Sequence, residues 1–421
     1  MKDLAASGEI LRRGVLAILI TAIYTTLCWR PEWMTLAGID YMGRWFIDTH
    51  ACLSAGDAVA AGLNPYIDNP LDMMRRPHRY SDWWFALHSL GLTRADDVWL
   101  GAIWGLSFLV VALFQVRVRT IGELAWSAAF LVSPPFVFGF NRGNPDLLVV
   151  IVLSVTVPCL LALNRAVRWL APASIFIAAG LKFYPFTAAL VLLRPGRSRR
   201  EVWMMLAAFA VLTLWFIYDQ RESFRYFVTD PPRPSGFFTF GVGSVAQALQ
   251  LSSRMMTALL MIVFAATAVG SWRAMPEWIP SPAVEAEYLR FVLGAILLLG
   301  CYAAGVNFGY RLVLAVWMAP FLWTMWRAED LPATCRSVGR VVGVLLMGFL
   351  WIDGASCLLI NLSGPRPQTQ IDHWMDNIML AQQPFVAALM LGLVWLLVPF
   401  VRRGLTFLLA GFSPPESPGK S

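Results

Sequence analysis

Ionisable side chains are scarce in this chain, and those able to do chemistry sit in short stretches between apolar runs. Asp40, Arg44 and Asp48 recur at every fourth position, which on a helix places them along one face. Residues 39–61 contain no proline and fit a helix lying at a membrane interface, with His50 close by. The run Gly62-Leu63-Asn64-Pro65-Tyr66 then breaks it. Such a stripe is either a solvated face in which Arg44 pairs with both acids, or a carboxylate at a membrane-bounded cleft. In the second case Asp48, with Asp40 as runner-up, acts as general base on a hydroxyl, its pKa tuned by burial and by the arginine.

Asn141-Arg142-Gly143-Asn144-Pro145-Asp146 joins two apolar segments. Pro145 can open a helix with Asn144 as its cap, which accounts for a turn. A turn does not require an arginine between two asparagines, and Arg142 has the fork geometry for a phosphate. Lys182-Phe183-Tyr184-Pro185 has the same character. Lys182 either snorkels to the interface or faces the same phosphate. Asn307, Tyr310 and Arg311 open a later apolar segment and are further cavity residues. Arg75, Arg76 and Arg79 suit lipid head groups or a plain surface. Asp372, His373 and Asp376 group a histidine with acids, but His50, His78, His88 and His373 lack any ligand spacing, so no metal is expected.

The elements that must position these groups read as membrane spans. Hydrophobic residues make up 58% of 421 positions and charged residues 14%, with a mean hydropathy of +0.61. A soluble domain carries about 25% charge. The net charge of +7 comes from short basic clusters between apolar runs, the pattern of cytoplasmic loops rather than of a nucleic-acid surface. Six cysteines form no CxxC pair and imply neither a disulfide framework nor a metal site. Residues 14–28, behind Arg12 and Arg13, read as an uncleaved anchor. Further apolar segments fall at 97–116, 124–140, 146–163, 169–181, 184–193, 202–218, 254–272, 290–306, 311–326, 341–357 and 379–401.

The sum is an all-α polytopic bundle of about twelve transmembrane helices, with both termini cytoplasmic in the plasma membrane. Residues 1–405 form one transmembrane domain, and 406–421 a cytoplasmic tail that ends in disorder. Loops 29–96, 218–253 and 358–378 fall outside. Residues 169–193 enter and return as a hairpin of short helices with Lys182 at its tip, a shape that survives at membrane depth only inside protein. Residues 80–92 read as an interfacial or re-entrant helix.

Asp48, Ala55 and Gly62-Leu63-Asn64-Pro65-Tyr66 resemble the first-loop signature of glycosyltransferase family 87, a GT-C family that includes mycobacterial mannosyl- and arabinofuranosyltransferases. Arg142-Gly143-Asn144 and Leu181-Lys182-Phe183-Tyr184-Pro185 match that family's later landmarks in order. The resemblance implies a GT-C-like bundle that moves a sugar from a polyprenyl-phosphate donor to a glycolipid or glycan hydroxyl outside the cytoplasm. Asp48 would be the base, Arg142 and Lys182 would hold the donor phosphate, and no cofactor or obligatory divalent metal is implied. Arg44, His50, Asn64, Tyr66, Asn141 and Asn144 are then expected around the substrate cavity, together with Tyr184, Asn307, Tyr310, Arg311 and His373. Where family members often carry a late histidine, this chain has Asn307-Phe308-Gly309-Tyr310-Arg311. The main rival is a transporter or flippase of lipid-linked sugars; a transporter should show internal repeats and midplane charges, and neither is evident here.

Overall fold

The computed structural model describes all residues except 1, 40, 42, 196–197, 230–238, 277, 330, 365–367 and 411–421; the side chains of 2–6, 36–37, 248, 368–373, 375–376 and 379 are likewise outside the description. Among the described residues the chain is helical almost throughout, and the strands are one two-residue pair. Six helices among the described residues are long and apolar enough to cross a membrane: Ser7–Trp29, Arg94–Gln115, Arg199–Asp219, Ser253–Ala274, Ala333–Leu362 and Leu380–Leu409. Ile121–Leu131 and Pro134–Arg142, bent by 47°, make a seventh if taken as one span. The last helix runs to Leu409, so it continues past residue 405, where the tail was expected to begin.

The expectation of twelve spans is met by fewer long helices because the middle of the chain is broken into short pieces. Residues 146–163 divide into Asp146–Leu153 and Thr156–Leu161. Tyr184–Leu193 and Gly309–Trp317 are 3-10 helices. Ten residues at about 2.0 Å each reach roughly 20 Å, against about 15 Å for an α-helix, so the tighter coil carries a short segment further. Broken backbone of this kind needs protein around it, and every residue of Gly309–Trp317 except Arg311 is buried. Pro282–Ala303 lies beside it and is buried almost continuously from Glu287 to Tyr302, as an apolar helix at the centre of a bundle should be. Residues 80–92 give a short 3-10 turn, Asp82–Phe85, continued by Ala86–Ser89.

Polar contacts sort the connecting segments into two groups. In one, Arg12 Nε donates to the Val118 carbonyl (2.8 Å), Arg168 to Glu201 (2.8 Å), Arg194 to Glu285 (2.8 Å) and Arg402 to the Trp272 carbonyl (2.7 Å). Arg117 reaches Glu287 at 3.2 Å beside Thr324. In the other, Asn361 Nδ2 donates to the Thr35 carbonyl (3.0 Å), and the Asp82 amide to Gln220 Oε1 (2.8 Å). Segments expected on one side of a membrane thus touch each other, and so do those expected on the opposite side.

The strand pair belongs to the second group. Thr239 faces Phe308 and Phe240 faces Asn307 in antiparallel register. Gly241 follows at φ +125°, and a Cβ there would lie 1.8 Å from the Gly305 carbonyl oxygen, so this crossing needs a residue without a side chain.

Candidate active site

The predicted stripe of Asp40, Arg44 and Asp48 does not form. The helix begins at Ile47, not near 39, because Gly43 (φ +76°) and Phe46 (φ +61°) turn the chain through left-handed backbone just before it. Asp40 lies outside the described residues. Arg44 precedes the helix and pairs with Asp97, a residue the sequence reading passed over; His50 Nδ1 meets the same carboxylate at 2.8 Å. Arg44 therefore neutralises a buried acid at the start of another helix.

Asp48 sits in the first turn of Ile47–Ala60, a position favoured for a negative charge. The Phe46 amide donates to the Asn141 carbonyl (2.7 Å), and Thr49 Oγ1 to the Gly143 carbonyl (2.8 Å), which pins this turn against the Asn141–Asp146 loop. That loop is shaped by its sequence. Gly143 ends Pro134–Arg142 at φ +56°, and a Cβ there would stand 2.4 Å from Thr49 Oγ1. Asn144 Oδ1 accepts from the Asp146 amide at 2.9 Å and caps the next helix across Pro145, as the sequence implied.

The carboxylate of Asp48 accepts four hydrogen bonds. Arg142 grips it with Nε to Oδ2 (2.8 Å) and Nη2 to Oδ1 (2.7 Å). Asn144 Nδ2 reaches Oδ2 at 2.6 Å, and Arg76 Nη1 reaches Oδ1 at 2.8 Å. Burial alone would raise the pKa of Asp48; the two guanidiniums and the amide outweigh it and hold the carboxyl well below the usual carboxylate range. Arg76 is fixed in turn by Asp72 (3.0 Å) and the Ile47 carbonyl (2.7 Å), so it belongs to this cluster rather than to a lipid-facing surface. Arg142 also lies over the rings of Phe138, Phe308 and Tyr310 at 5.3 to 5.8 Å, which brings the strand pair onto the site.

Asn144 links this half to a second one. Its Oδ1 accepts from Lys182 Nζ at 2.9 Å, and Lys182 pairs with Asp146 Oδ1, also at 2.9 Å. Tyr184 donates to that same oxygen at 2.7 Å. Arg311 Nε stands 3.9 Å from Asp146 Oδ2. Lys182 lies between the rings of Tyr80 (5.3 Å) and Tyr310 (5.4 Å), and is 3% exposed, so it does not snorkel to water. Asp48, Arg142 and Lys182, from three separate segments, are joined in one network.

The other expected cavity residues are placed differently. Tyr66 hydroxyl meets Ser223 Oγ at 2.8 Å and its ring stacks on Tyr226, while Asn64 Nδ2 donates to the Tyr226 hydroxyl at 3.3 Å. Both dock the first loop onto Arg221–Thr229. Arg79 donates to the Tyr66 carbonyl at 2.8 Å. Asn307 lies in the strand pair, its Nδ2 donating to the Cys301 carbonyl at 2.5 Å. Asn141 is buried, and its Nδ2 has no hydrogen-bond partner among the described residues. His373 falls in Gln368–Leu409, but its side chain is outside the description. Asp146 and Arg76 were missed as site residues. Asp146 was signalled by its place in the same turn as Arg142; nothing in the spacing of Arg76 distinguished it from Arg75 and Arg79. Among the described residues no group of three His, Cys, Asp or Glu side chains could hold a metal ion.

No family model, curated protein or solved structure matches this chain.

Proposed function

We propose that this protein is a membrane glycosyltransferase that moves a sugar from a polyprenyl-phosphate donor to a hydroxyl of a glycolipid or glycan acceptor, by direct displacement with inversion. One observation carries the reading: Arg142, Arg76 and Lys182 converge around Asp48 and Asp146, with Arg311 near the far oxygen of Asp146, as a buried polar cluster in an apolar helical molecule. A donor with a polyprenyl tail stays in the bilayer, so its phosphate must be met by cations that such an apolar molecule supplies. As the bond from the anomeric carbon to the phosphate breaks, its electron pair leaves on the phosphate oxygen, and preorganised cations stabilise that charge. Arg142 has the bidentate geometry for a phosphate and already uses it on a carboxylate.

The resemblance to glycosyltransferase family 87 supports the same reading through Asp48, Arg142 and Lys182. An aspartate takes the acceptor proton. Asp48 can do so only where a competing anion draws Arg142 and Arg76 away, because a carboxylate accepting four hydrogen bonds has no lone pair free and is a weak base. Its standing role is to hold two arginines in register. The reading places the site on the non-cytoplasmic side of the plasma membrane with both termini cytoplasmic.

The test is transfer of labelled sugar from a panel of polyprenyl-phosphate sugars by the purified protein in proteoliposomes with an envelope lipid extract. At least one donor is expected to give a labelled lipid or glycan. Donor transport across the vesicle without a new glycosidic bond would favour a flippase instead.

A further inference from the structure

Within the network, one donor and one acceptor are left facing each other. Asp146 Oδ2 and Arg311 Nε are both buried, and neither has a hydrogen-bond partner among the described residues. They stand 3.9 Å apart, too far for a direct hydrogen bond and suited to one oxygen between them. Asp146 itself is 0% exposed. Its other oxygen is engaged by Lys182 and Tyr184, which fix the carboxylate plane and aim Oδ2 at Arg311. A hydroxyl is the group that satisfies both atoms, since it accepts from the guanidinium and donates to the carboxylate.

Resting on the transferase reading above, we propose that Asp146 Oδ2 and Arg311 Nε seat the reacting hydroxyl of the acceptor, and that Asp146, not Asp48, takes its proton. The hydroxyl oxygen forms the new bond to the anomeric carbon while the carbon–phosphate oxygen bond breaks. The electron pair of the broken bond departs on the phosphate, and the hydroxyl proton goes to Asp146 Oδ2. The two carboxylates thereby divide the work. Asp48, with both oxygens occupied, orders the phosphate-binding cations; Asp146, with one oxygen unclaimed, meets the nucleophile. Asn144 spans the two, donating to Asp48 and accepting from Lys182, and so sets their separation. Arg311 is 20% exposed at its side chain, and Asp146 only 1%.

The experiment measures transfer from a labelled polyprenyl-phosphate sugar to n-octyl glycosides, alongside binding of a fluorescent polyprenyl-phosphate sugar. Asp146→Asn is expected to lower kcat by about 100-fold or more, the usual scale of a lost general base, with donor Kd within about threefold. Arg311→Gln is expected to raise the acceptor KM about tenfold, one charged hydrogen bond's worth, with donor Kd unchanged. If Asp146→Asn does not fold, Asp146→Glu decides, since it keeps the charge beside Lys182 but moves the oxygen; a kcat about tenfold lower is expected. Unchanged kcat in either folded variant means that only a structural water fills the gap, and overturns the proposal. A parallel loss of donor binding does the same, because it assigns Asp146 to the phosphate. If the unaltered protein transfers from no donor in the panel, the transferase reading itself falls and takes the seat with it; normal transfer by the unaltered and variant proteins removes the seat alone.

Discussion

At the scale of single residues, the contrast between Asp48 and Arg142 yields the sharpest expectations. Asp48→Asn removes the charge that holds Arg142 and Arg76 while keeping the shape of the side chain. Transfer should fall because the freed arginines no longer hold the leaving phosphate in register, yet the donor should bind as tightly as before or more tightly, because its phosphate no longer competes with a carboxylate. Titration with a fluorescent polyprenyl-phosphate sugar checks this, and a clear loss of donor affinity would show that Asp48 touches the donor. Arg142→Lys loses the bidentate grip, and Lys182→Met loses a point charge; each should weaken donor binding about tenfold or more while leaving the acceptor KM within about threefold. Acid stability separates two other groups. Burial lowers the pKa of His78 to about 4, favouring the neutral ring, so its contribution is complete above the unfolded value of about 6.5 and is lost as pH falls through the window between them. The lowered pKa of Asp48 acts later: its contribution is complete above about 3.9 and is lost only below that. Thermal unfolding in detergent should therefore soften first between about pH 6.5 and 4, and His78→Gln should flatten that step without touching the one below it.

At the scale of elements, what was legible depended on how local the cause was. The turn at Asn141–Asp146 could be read because Gly, Asn and Pro each impose backbone geometry on their neighbours, and Asn144 does cap the helix as expected. The return at Lys182 could be read because proline and basic flanks bracket it. The start of the Asp48 helix could not. Absence of proline over 39–61 permitted a helix, but Phe46 at φ +61° is a tertiary choice, held by the Asn141 carbonyl that receives its amide. The 3-10 helices were equally hidden, since Tyr184–Leu193 and Gly309–Trp317 have the composition of ordinary spans. Long-range partners such as Arg76 with Asp48 leave no trace in spacing at all. Glycine positions test the element packing directly. Gly143→Ala puts a Cβ 2.4 Å from Thr49 Oγ1 at a left-handed φ, and Gly241→Ala puts one 1.8 Å from the Gly305 carbonyl oxygen. Each should lower the thermal midpoint of unfolding by several degrees and reduce transfer, whereas Gly348→Ala, whose Cβ meets nothing within 4 Å, should do neither. Equal tolerance of all three would contradict the packing described for the site.

At the scale of the whole molecule, several long helices lie at the periphery, while the broken segments lie inside beside the long buried helix Pro282–Ala303. Ser253–Ala274 is only 11% buried over its apolar window, and Arg199–Asp219 28%, so many of their Leu, Val and Trp side chains are exposed, as suits a lipid surround. The short segments 146–161, 184–193 and 309–317 carry the site from within, where the outer helices shield their interrupted backbone. The cost of burying the ionisable groups of the cluster is offset by partners from other segments. The two groups of loop contacts predict a sidedness that labelling can read. Asp68 is exposed in the loop that carries Arg76, within the contact group that includes the site; Ser198 is exposed in the segment whose neighbours Arg194 and Glu201 belong to the opposite group. With exposed Cys28 replaced by serine, Asp68→Cys should react with an impermeant maleimide from outside the cell, and Ser198→Cys only after the membrane is opened. Reaction of both from one side would mean that the two contact groups are not the two faces of the membrane, and the polar network would then lie at a depth no lipid-linked donor could reach from outside.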